Sequence, residues 1–216
     1  MTEITPELVL RAYACGLFPM ADDRHAEEMF WVDPERRGVL PLDQFHLARS
    51  LKKAIRQDRF VVTADEAFDQ VILACAEARP GRESTWINDE IIRLYTELNR
   101  LGAAHSVECW QNGRLVGGLY GVDLAGAFFG ESMFHRTTDA SKVALAHLVA
   151  RLSAGGYCLL DCQFITGHLA SLGAIEISKA SYRRQLKQAL SVKGDYYSLP
   201  SPCPGSLTLQ SITQTS

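Results

Sequence analysis

The stretch AHSVECWQNGRLVGGLYGVDLAGAFFGESMF, residues 104–134, decides the fold of this chain of 216 residues. Its apolar runs alternate with polar residues and are separated by Asn112-Gly113 and by a second turn near Ala125-Gly126. Asn-Gly between alternating runs is a strong short-range signal for a β-hairpin. The stretch therefore predicts a meander of three antiparallel strands.

Helices and further strands surround this meander. The patterns predict strands at 59–65 and 157–164, with helices at 65–78, 88–102, 139–156 and 179–191. The order from residue 59 is β, α, α, β, β, β, α, β, α, which predicts an α+β fold with helices flanking a largely antiparallel central sheet. This order resembles that of acetyl-CoA N-acyltransferases, the GNAT-like fold, as an analogy of fold alone.

The first sixty residues read as a separate unit. Thr5 and Pro6 begin a predicted helix over 5–16, aromatic residues and turns follow, and an amphipathic helix spans 46–58. We predict a small N-terminal α/β domain at 1–60, a GNAT-like aminoacyltransferase domain at 61–198 and a loosely ordered tail at 199–216.

Composition excludes several classes of function. The net charge of −3 gives no overall basicity, so a polyanion site has to be a local patch. The six cysteines include no CxxC pair and the six histidines no metal-ligating spacing, which predicts reduced thiols and no metal site. No apolar run reaches the roughly 20 residues of a membrane span, and the N-terminus lacks the basic region of a signal peptide, so we predict a cytoplasmic location.

Polar side chains interrupt two apolar strands. Glu131 lies in FFGESMF, residues 128–134, and Asp161 and Gln163 lie in CLLDCQF, residues 158–164. Residues two apart share a face of a strand, so Asp161 goes with Gln163, and Glu131 goes with Phe129 and Met133. Because an unpartnered buried carboxylate is costly, these groups either bond backbone N–H groups or an arginine, or meet at a functional site.

Two acyl-transfer chemistries fit the sequence poorly. GESMF resembles the G-x-S-x-G nucleophile elbow around Ser132, but Phe134 replaces the second glycine and the segment reads as a strand. The turn HRTTDASK, residues 135–142, lacks the glycines of a coenzyme A phosphate loop, and Asp139 would repel phosphate. The acyl carrier is therefore expected to be something other than coenzyme A.

Basic and aromatic side chains form a candidate path for a nucleic acid. Trp31 and Trp86 could stack on a base, or pack in the core. The basic side chains could contact phosphates, or lie on solvated helix faces; they are Arg36, Arg37, Arg49, Lys52, Lys53, Arg56, Arg183 and Arg184.

Several segments together resemble the leucyl/phenylalanyl-tRNA–protein transferases. They run from about residue 5 to 190 and are highly specific in combination: GLFPM, FWVDPERRGVLPLDQFHLARSLKK, TWI, AHSVECW, LVGGLYGV, FFGESMF, DASKVAL, LLDCQF and HLASLGAIEIS. Lys179 departs from the family pattern, in which an arginine is expected; lysine keeps the charge without the bidentate fork.

The resemblance implies an enzyme that takes Leu, Phe or Met from aminoacyl-tRNA and attaches it to proteins with N-terminal Arg or Lys, making a degradation signal. It ties Asp161 and Gln163 to catalysis. We expect Gln163 to orient the amine, Asp161 to stabilise charge and Glu131 to hold the cationic N-terminus. An aminoacyl ester is already activated, so no cofactor, metal, membrane or DNA is implied.

An apolar pocket should take the aminoacyl side chain, and Trp31 and Trp86 should flank the terminal adenosine. The pocket residues are expected to be Leu119, Phe128, Met133, Leu148, Leu152 and Leu160, each of which could instead be plain core. Three rivals stay open: an acetyl-CoA N-acetyltransferase, the sister class that moves Leu onto N-terminal Asp or Glu, and a tRNA-binding module without enzymatic activity.

Overall fold

A computed structural model of the chain describes residues 4–78 and 83–214. Its largest feature is a seven-stranded sheet with the spatial order β4-β5-β6-β7-β8-β3-β9. The strands of this sheet are β3 (Arg36–Val39), β4 (Val61–Ala64), β5 (Ala104–Gln111), β6 (Arg114–Leu124), β7 (Ala127–His135), β8 (Leu159–Gln163) and β9 (Ile175–Ser178). Only the β7–β8 pair of this sheet is parallel, which confirms the α+β prediction.

The predicted meander is β5, β6 and β7, paired antiparallel in sequence order. The glycines of its middle strand admit close neighbours. A Cβ on Gly117 would lie 2.5 Å from the Cβ of Ala140, and one on Gly121 would lie 2.4 Å from the ring of Phe128. The glycines therefore let a helix and an aromatic ring pack directly on the backbone of β6.

Helices cover the sheet on both sides. They are α1 (Pro6–Ala14), α2 (Arg49–Arg56), α3 (Phe68–Ala76), α4 (Asp89–Arg100), α5 (Ala140–Ala154), α6 (Gly167–Ser171), α7 (Lys179–Ala189) and α8 (Gly205–Gln214). None of these helices is long and apolar enough to cross a membrane.

Adjacent residues of β6, β7 and β8 belong to two different apolar cores. Leu119, Phe128 and Leu160 pack in the core that includes α5, whereas Tyr120 and Phe129 pack in the core that includes α3 and α4. This division follows from the alternation of side chains along a strand. The sheet is thus buried on both faces, so a polar group within it needs a partner.

The sheet does not follow the predicted division at residue 60. Strand β3, from the first sixty residues, pairs with both β8 and β9. The two-stranded sheet of β1 (Phe18–Met20) and β2 (Phe30–Val32) stands apart from it. The domain boundaries themselves stay a prediction, but the first sixty residues contribute a strand to the main sheet.

The prediction of a loosely ordered tail is wrong for residues 205–214. They form α8, in which Thr208, Leu209 and Ile212 are buried. Their spacing of one, three and four residues places them on one helix face, which packs against α2 and α5. The Pro- and Ser-rich stretch before the helix hid this pattern; residues 215 and 216 lie outside the described residues.

Candidate active site

A cavity of about 310 Å³ opens beside the ends of β7 and β8. Apolar side chains line most of it, and Glu131, Gln163 and His168 bring polar groups to its wall. Phe164, 47% exposed, lies on the same wall. The cavity therefore offers an apolar interior with a small number of polar groups at one side, which is typical of a small-molecule site.

Four of the predicted pocket residues lie on this cavity: Leu119, Met133, Leu148 and Leu160. Further apolar side chains that the sequence did not single out also line it, among them Leu145, Cys162, Phe164 and Leu169. The pattern of α5 could not identify Leu145, because twelve residues of that helix are buried and no apolar stripe stands out.

The predictions for Phe128 and Leu152 are wrong. Phe128 is fully buried and stacks on Tyr196 with ring centroids 5.9 Å apart, and Leu152 is fully buried in the core. Neither lines the cavity. Both side chains therefore pack in the core, which the sequence had left open as the alternative for each pocket residue.

The two tryptophans do not form a pair at the cavity. Trp86 lies on its wall. Trp31 is 36% exposed in β2, where it is opposite Pro19 in the small sheet, and it is not among the cavity residues. The structure thus brings Trp86 to the cavity and leaves Trp31 away from it, and the contact of either with an adenosine stays a prediction.

Glu131 occupies a β-bulge. The register of β6 with β7 passes from Tyr120 opposite Ser132 to Gly121 opposite Gly130, so Glu131 is the extra residue. The bulge breaks the predicted alternation, because Glu131 faces the core of α1 and α4 whereas Met133 packs against the opposite core. Bulges commonly re-aim a side chain beside a functional site.

The Glu131 carboxylate has three neutral donors. Tyr13 Oη donates to Oε1 at 2.7 Å, Gln163 Nε2 donates to Oε1 at 2.7 Å, and Tyr95 Oη donates to Oε2 at 3.3 Å. The hydroxyls of Tyr13 and Tyr95 also lie within hydrogen-bond distance of each other, and because each carries one hydrogen, the two hydroxyls make only two of these three bonds at a time. Among the described residues Glu131 has no ion pair. Burial raises its pKa to about 7, and the charge of Asp161 adds to the rise, against the hydrogen bonds.

Gln163 also lies at an irregular point of its strand. The pairing of β3 with β8 passes from Val39 opposite Asp161 to Gly38 opposite Gln163, which leaves Cys162 as the extra residue. Gln163 has φ +61°, a left-handed conformation that is uncommon outside glycine. Its backbone N–H donates to Asp161 Oδ1 at 2.8 Å, which holds this turn of the chain.

Asp161 faces away from the cavity, toward an arginine. Arg37 donates from Nε to Oδ1 at 3.0 Å and from Nη2 to Oδ2 at 2.7 Å, and Tyr182 Oη donates to Oδ2 at 2.6 Å. Asp161 is 0% and Arg37 1% exposed. The expected partners of this carboxylate, an arginine and a backbone N–H, are thus both present, while the amine-facing role is not supported by its position.

Sequence comparison assigns the family. A sequence profile described as leucyl/phenylalanyl-tRNA protein transferase matches residues 39–187, and the profile for the N-terminal domain of the same protein matches residues 2–35. The chain belongs to this transferase family. Proteins named leucyl/phenylalanyl-tRNA–protein transferase from Maricaulis maris and Phenylobacterium zucineum are 56% and 57% identical to it over 210 and 221 residues. These alignments cover 97% and 100% of this chain, and the same shares of the two relatives.

The basic residues of this transferase-family chain fall into three groups. Arg37 is buried, so the prediction that it contacts tRNA is wrong for this structure. Two others are exposed but paired with acids, Arg36 with Glu176 at 2.9 Å and Arg183 with Asp33 at 3.1 Å. The remaining ones lie at the surface, on α2 and α7: Arg49, Lys52, Lys53, Arg56 and Arg184.

Two further findings concern the predictions for metal and for Lys179. Within residues 4–78 and 83–214 no group of three or more His, Cys, Asp or Glu side chains could hold a metal ion. Lys179 Nζ pairs with Asp33 at 2.8 Å and with Glu35 at 3.2 Å, so the departure from arginine keeps ion pairs to both carboxylates.

Proposed function

We propose that this protein transfers Leu, Phe or Met from aminoacyl-tRNA to the α-amine of proteins that begin with Arg or Lys. The observation that carries the proposal is the apolar cavity with Glu131, a carboxylate without a cationic partner among the described residues, on its wall. The product is a protein with a new N-terminal residue that marks it for degradation. Charged tRNA and protein acceptors are met together in the cytoplasm, where we place the reaction.

The donor side of the proposal rests on the cavity lining. Leu119, Met133, Leu145, Leu148 and Leu160 surround a space of about 310 Å³, which suits one unbranched or branched apolar side chain. One methylene in such a pocket is worth only about 1–3 kcal/mol, so discrimination among Leu, Phe and Met is loose. Met133 adds adaptability, since its thioether chain changes shape easily.

The acceptor side rests on charge. Glu131 receives hydrogen bonds only from neutral groups, so its negative charge is uncompensated among the described residues when it is ionised. A cationic α-ammonium, or the side chain of an N-terminal Arg or Lys, compensates it. An acidic N-terminal residue would be repelled, which argues against the sister class that modifies Asp and Glu.

The chemistry needs one proton acceptor. The α-ammonium first loses one proton, and its nitrogen then attacks the ester carbon and forms the C–N bond. The C–O bond to the ribose breaks as the second proton of the attacking nitrogen passes to the departing ribose oxygen. Glu131 takes the first proton, because burial raises its pKa to about 7, near the pKa of roughly 8 of an α-amine. Gln163 orients the amine, and positioning supplies most of the rate.

The tRNA is held away from the reacting atoms. Trp86 on the cavity wall is available to stack on the terminal adenosine. The exposed Arg49, Lys53 and Arg56 of α2, and the half-buried Lys52, are available for backbone phosphates. Removing one such contact lowers the slope of log affinity against log salt by about one.

The test is transfer of radiolabelled leucine from Leu-tRNA to peptides that begin with Arg, Lys, Asp or Ala. We expect label on the Arg and Lys peptides alone, and the same with Phe-tRNA and Met-tRNA. Label on the Asp peptide would assign the sister class instead. Binding of charged tRNA without any transfer would leave a tRNA-binding module, and acetyl transfer from acetyl-CoA would favour the GNAT rival.

A further inference from the structure

Asp161 has no hydrogen-bonding capacity left for a substrate. Its Oδ1 accepts from Arg37 Nε and from the Gln163 backbone N–H, and its Oδ2 accepts from Arg37 Nη2 and Tyr182 Oη. A carboxylate offers about four lone-pair positions, so these four donors occupy it fully. Since it is also fully buried and absent from the cavity wall, Asp161 acts only through its neighbours.

The Arg37 guanidinium is itself fixed from several directions. It lies between two aromatic rings, with Cζ 4.4 Å from the ring centre of Phe18 and 4.6 Å from that of Tyr182. Its Nη1 donates to the carbonyl of Gly16 at 3.1 Å. Planar stacking and a forked bond to a carboxylate are both specific to arginine, so lysine cannot reproduce this arrangement.

We propose that Arg37 and Tyr182 are positioning residues: they saturate Asp161, which fixes Gln163, next to the bulge at Cys162, against Glu131 and leaves Glu131 as the one carboxylate charge at the acceptor site. This inference rests on the proposed function and deepens it. It removes Asp161 from direct contact with the amine. It also gives Arg37, which the sequence led us to expect at the tRNA, a positioning role at the candidate active site.

The first part of the proposal concerns geometry. Gln163 adopts its left-handed conformation with its N–H on Asp161 and its Nε2 on Glu131. If Asp161 turns away, the Gln163 backbone loses the bond that holds this conformation. The side-chain amide then loses its fixed distance from Glu131, and a misplacement of about 1 Å in an active site can cost roughly 100-fold in rate.

The second part concerns charge at Glu131. The groups that face Glu131 are Tyr13 from α1, Tyr95 from α4, and Gln163 from β8. Asp161 and Arg37 act on it from further away with charges of opposite sign, and the negative charge of Asp161 raises the pKa of Glu131. His168 lines the same cavity, with its pKa lowered by burial and by Lys142 and His135.

Opposite pH shifts follow from this charge arrangement. Arg37→Met leaves the negative Asp161 uncompensated, which favours the protonated form of Glu131 and moves the acid limb of the rate profile to higher pH. Asp161→Asn removes the negative charge and moves that limb to lower pH. If Arg37 and Asp161 only supported the fold, their variants would not move the acid limb in opposite directions.

The experiment measures kcat and KM for leucine transfer from Leu-tRNA to an Arg peptide between pH 5 and 9. We expect Arg37→Met and Asp161→Asn to lower kcat by roughly 100-fold with KM for Leu-tRNA little changed. Tyr182→Phe should lower kcat by about tenfold, because one of the four donors is lost. Arg37→Lys should restore the wild-type acid limb while kcat stays low, since it returns charge without the fork.

A second buried arginine provides the matched control. Arg151 is 3% exposed and donates to the carbonyls of Tyr196, Leu199 and Pro200 rather than to Asp161 or Glu131. Arg151→Met should lower stability and leave the acid limb in place. If Arg37→Met behaves like Arg151→Met, or if the Arg37 and Asp161 variants shift the limb in the same direction, the proposal is overturned.

A readout without turnover separates this proposal from the proposed function. Carbon-13 NMR of labelled glutamate, with the Glu131 signal assigned from Glu131→Gln, gives the titration of Glu131 in each variant. We expect its midpoint to rise in Arg37→Met and to fall in Asp161→Asn. These shifts of the Glu131 midpoint are expected even if the wild-type protein transfers no amino acid to any peptide. If they are absent in an enzyme that does transfer leucine, the positioning role of Arg37 is overturned and the proposed function stands.

Discussion

Two buried glutamates of the main sheet, Glu131 and Glu108, look alike by every local measure. Both are at most 8% exposed, both accept hydrogen bonds from hydroxyl groups, and burial raises the pKa of both. Glu108 bonds Ser106 and Thr63, in a regular part of β5 opposite Thr63 and Gly118. Glu131 instead occupies a bulge on the wall of a cavity.

A buried carboxylate with a raised pKa therefore does not by itself define a functional site. Glu108 is itself paired in register with both neighbouring strands, and it does not line the apolar cavity. Glu131 is also hydrogen-bonded, but it lines the cavity. The accessible space beside the carboxylate, rather than its electrostatic state, therefore distinguishes the two.

The largest effect should come from removing the charge of each glutamate in turn. Glu131→Gln keeps the shape and removes the proton acceptor, so we expect transfer to an Arg peptide to fall by at least about 100-fold in kcat. Glu108→Gln should transfer at the wild-type rate. Single-turnover transfer of labelled leucine measures the rate of both variants. Equal losses in the two would show that the adjacent cavity does not distinguish Glu131 from Glu108.

The next effect is on the pH dependence of stability. The native pKa of Glu131 is raised from 4.5 to about 7, so the folded state binds the extra proton and stability falls as pH rises through that window. The free energy of unfolding is lower by about 3 kcal/mol above pH 7 than below pH 4.5. Urea titrations from pH 4 to 8 should show this fall flattened in Glu131→Gln. An unchanged pH slope in that variant would contradict the raised pKa.

A smaller effect separates cavity from core within α5. Leu148 lines the cavity and Leu152 does not, although both are buried leucines of one helix. Leu148→Ala should favour Phe over Leu by about tenfold in kcat/KM, since it enlarges the pocket by a few methylene groups. Leu152→Ala should lower stability by about 2–5 kcal/mol with the Phe-to-Leu ratio unchanged. A shift of that ratio in Leu152→Ala would argue against the cavity as the aminoacyl site.

The smallest effect should lie at His105, another buried polar group outside the cavity. Burial lowers its pKa, but bonds to Asp123 and to Asp65, the latter at 2.7 Å, outweigh burial and raise it. The stability from this cluster is therefore complete below pH 6.5 and is lost as pH rises through the native pKa. Thermal melts of His105→Gln should lack that fall above pH 6.5, with transfer unchanged. Loss of transfer would place His105 in the mechanism.

Much of the fold was accessible from the sequence. The meander, α1, α4 and α5 follow local signals: Asn-Gly, the N-cap Thr5, the N-cap Asn88 and the glycines that end α5. Short elements were missed, among them β9 and α6, although Thr166 is an N-cap of α6. The four residues of β3 carry too little pattern to say which sheet they join, so its position between β8 and β9 came from the structure alone.

At the site, the sequence alone was enough to single out Glu131, Asp161 and Gln163, because each interrupts an apolar strand. Met133 and Leu160, predicted for the aminoacyl pocket, line the cavity, and Trp86, predicted to flank the adenosine, lies on the same wall; their roles stay predictions. The tertiary structure was needed to show that Glu131 faces the cavity and Asp161 faces Arg37. Arg37 lies 124 residues from Asp161 in the chain, and the bulges at Glu131 and Cys162 re-aim the strands. Local periodicity carries no information about either, because long-range pairing and a one-residue bulge are fixed by packing between strands.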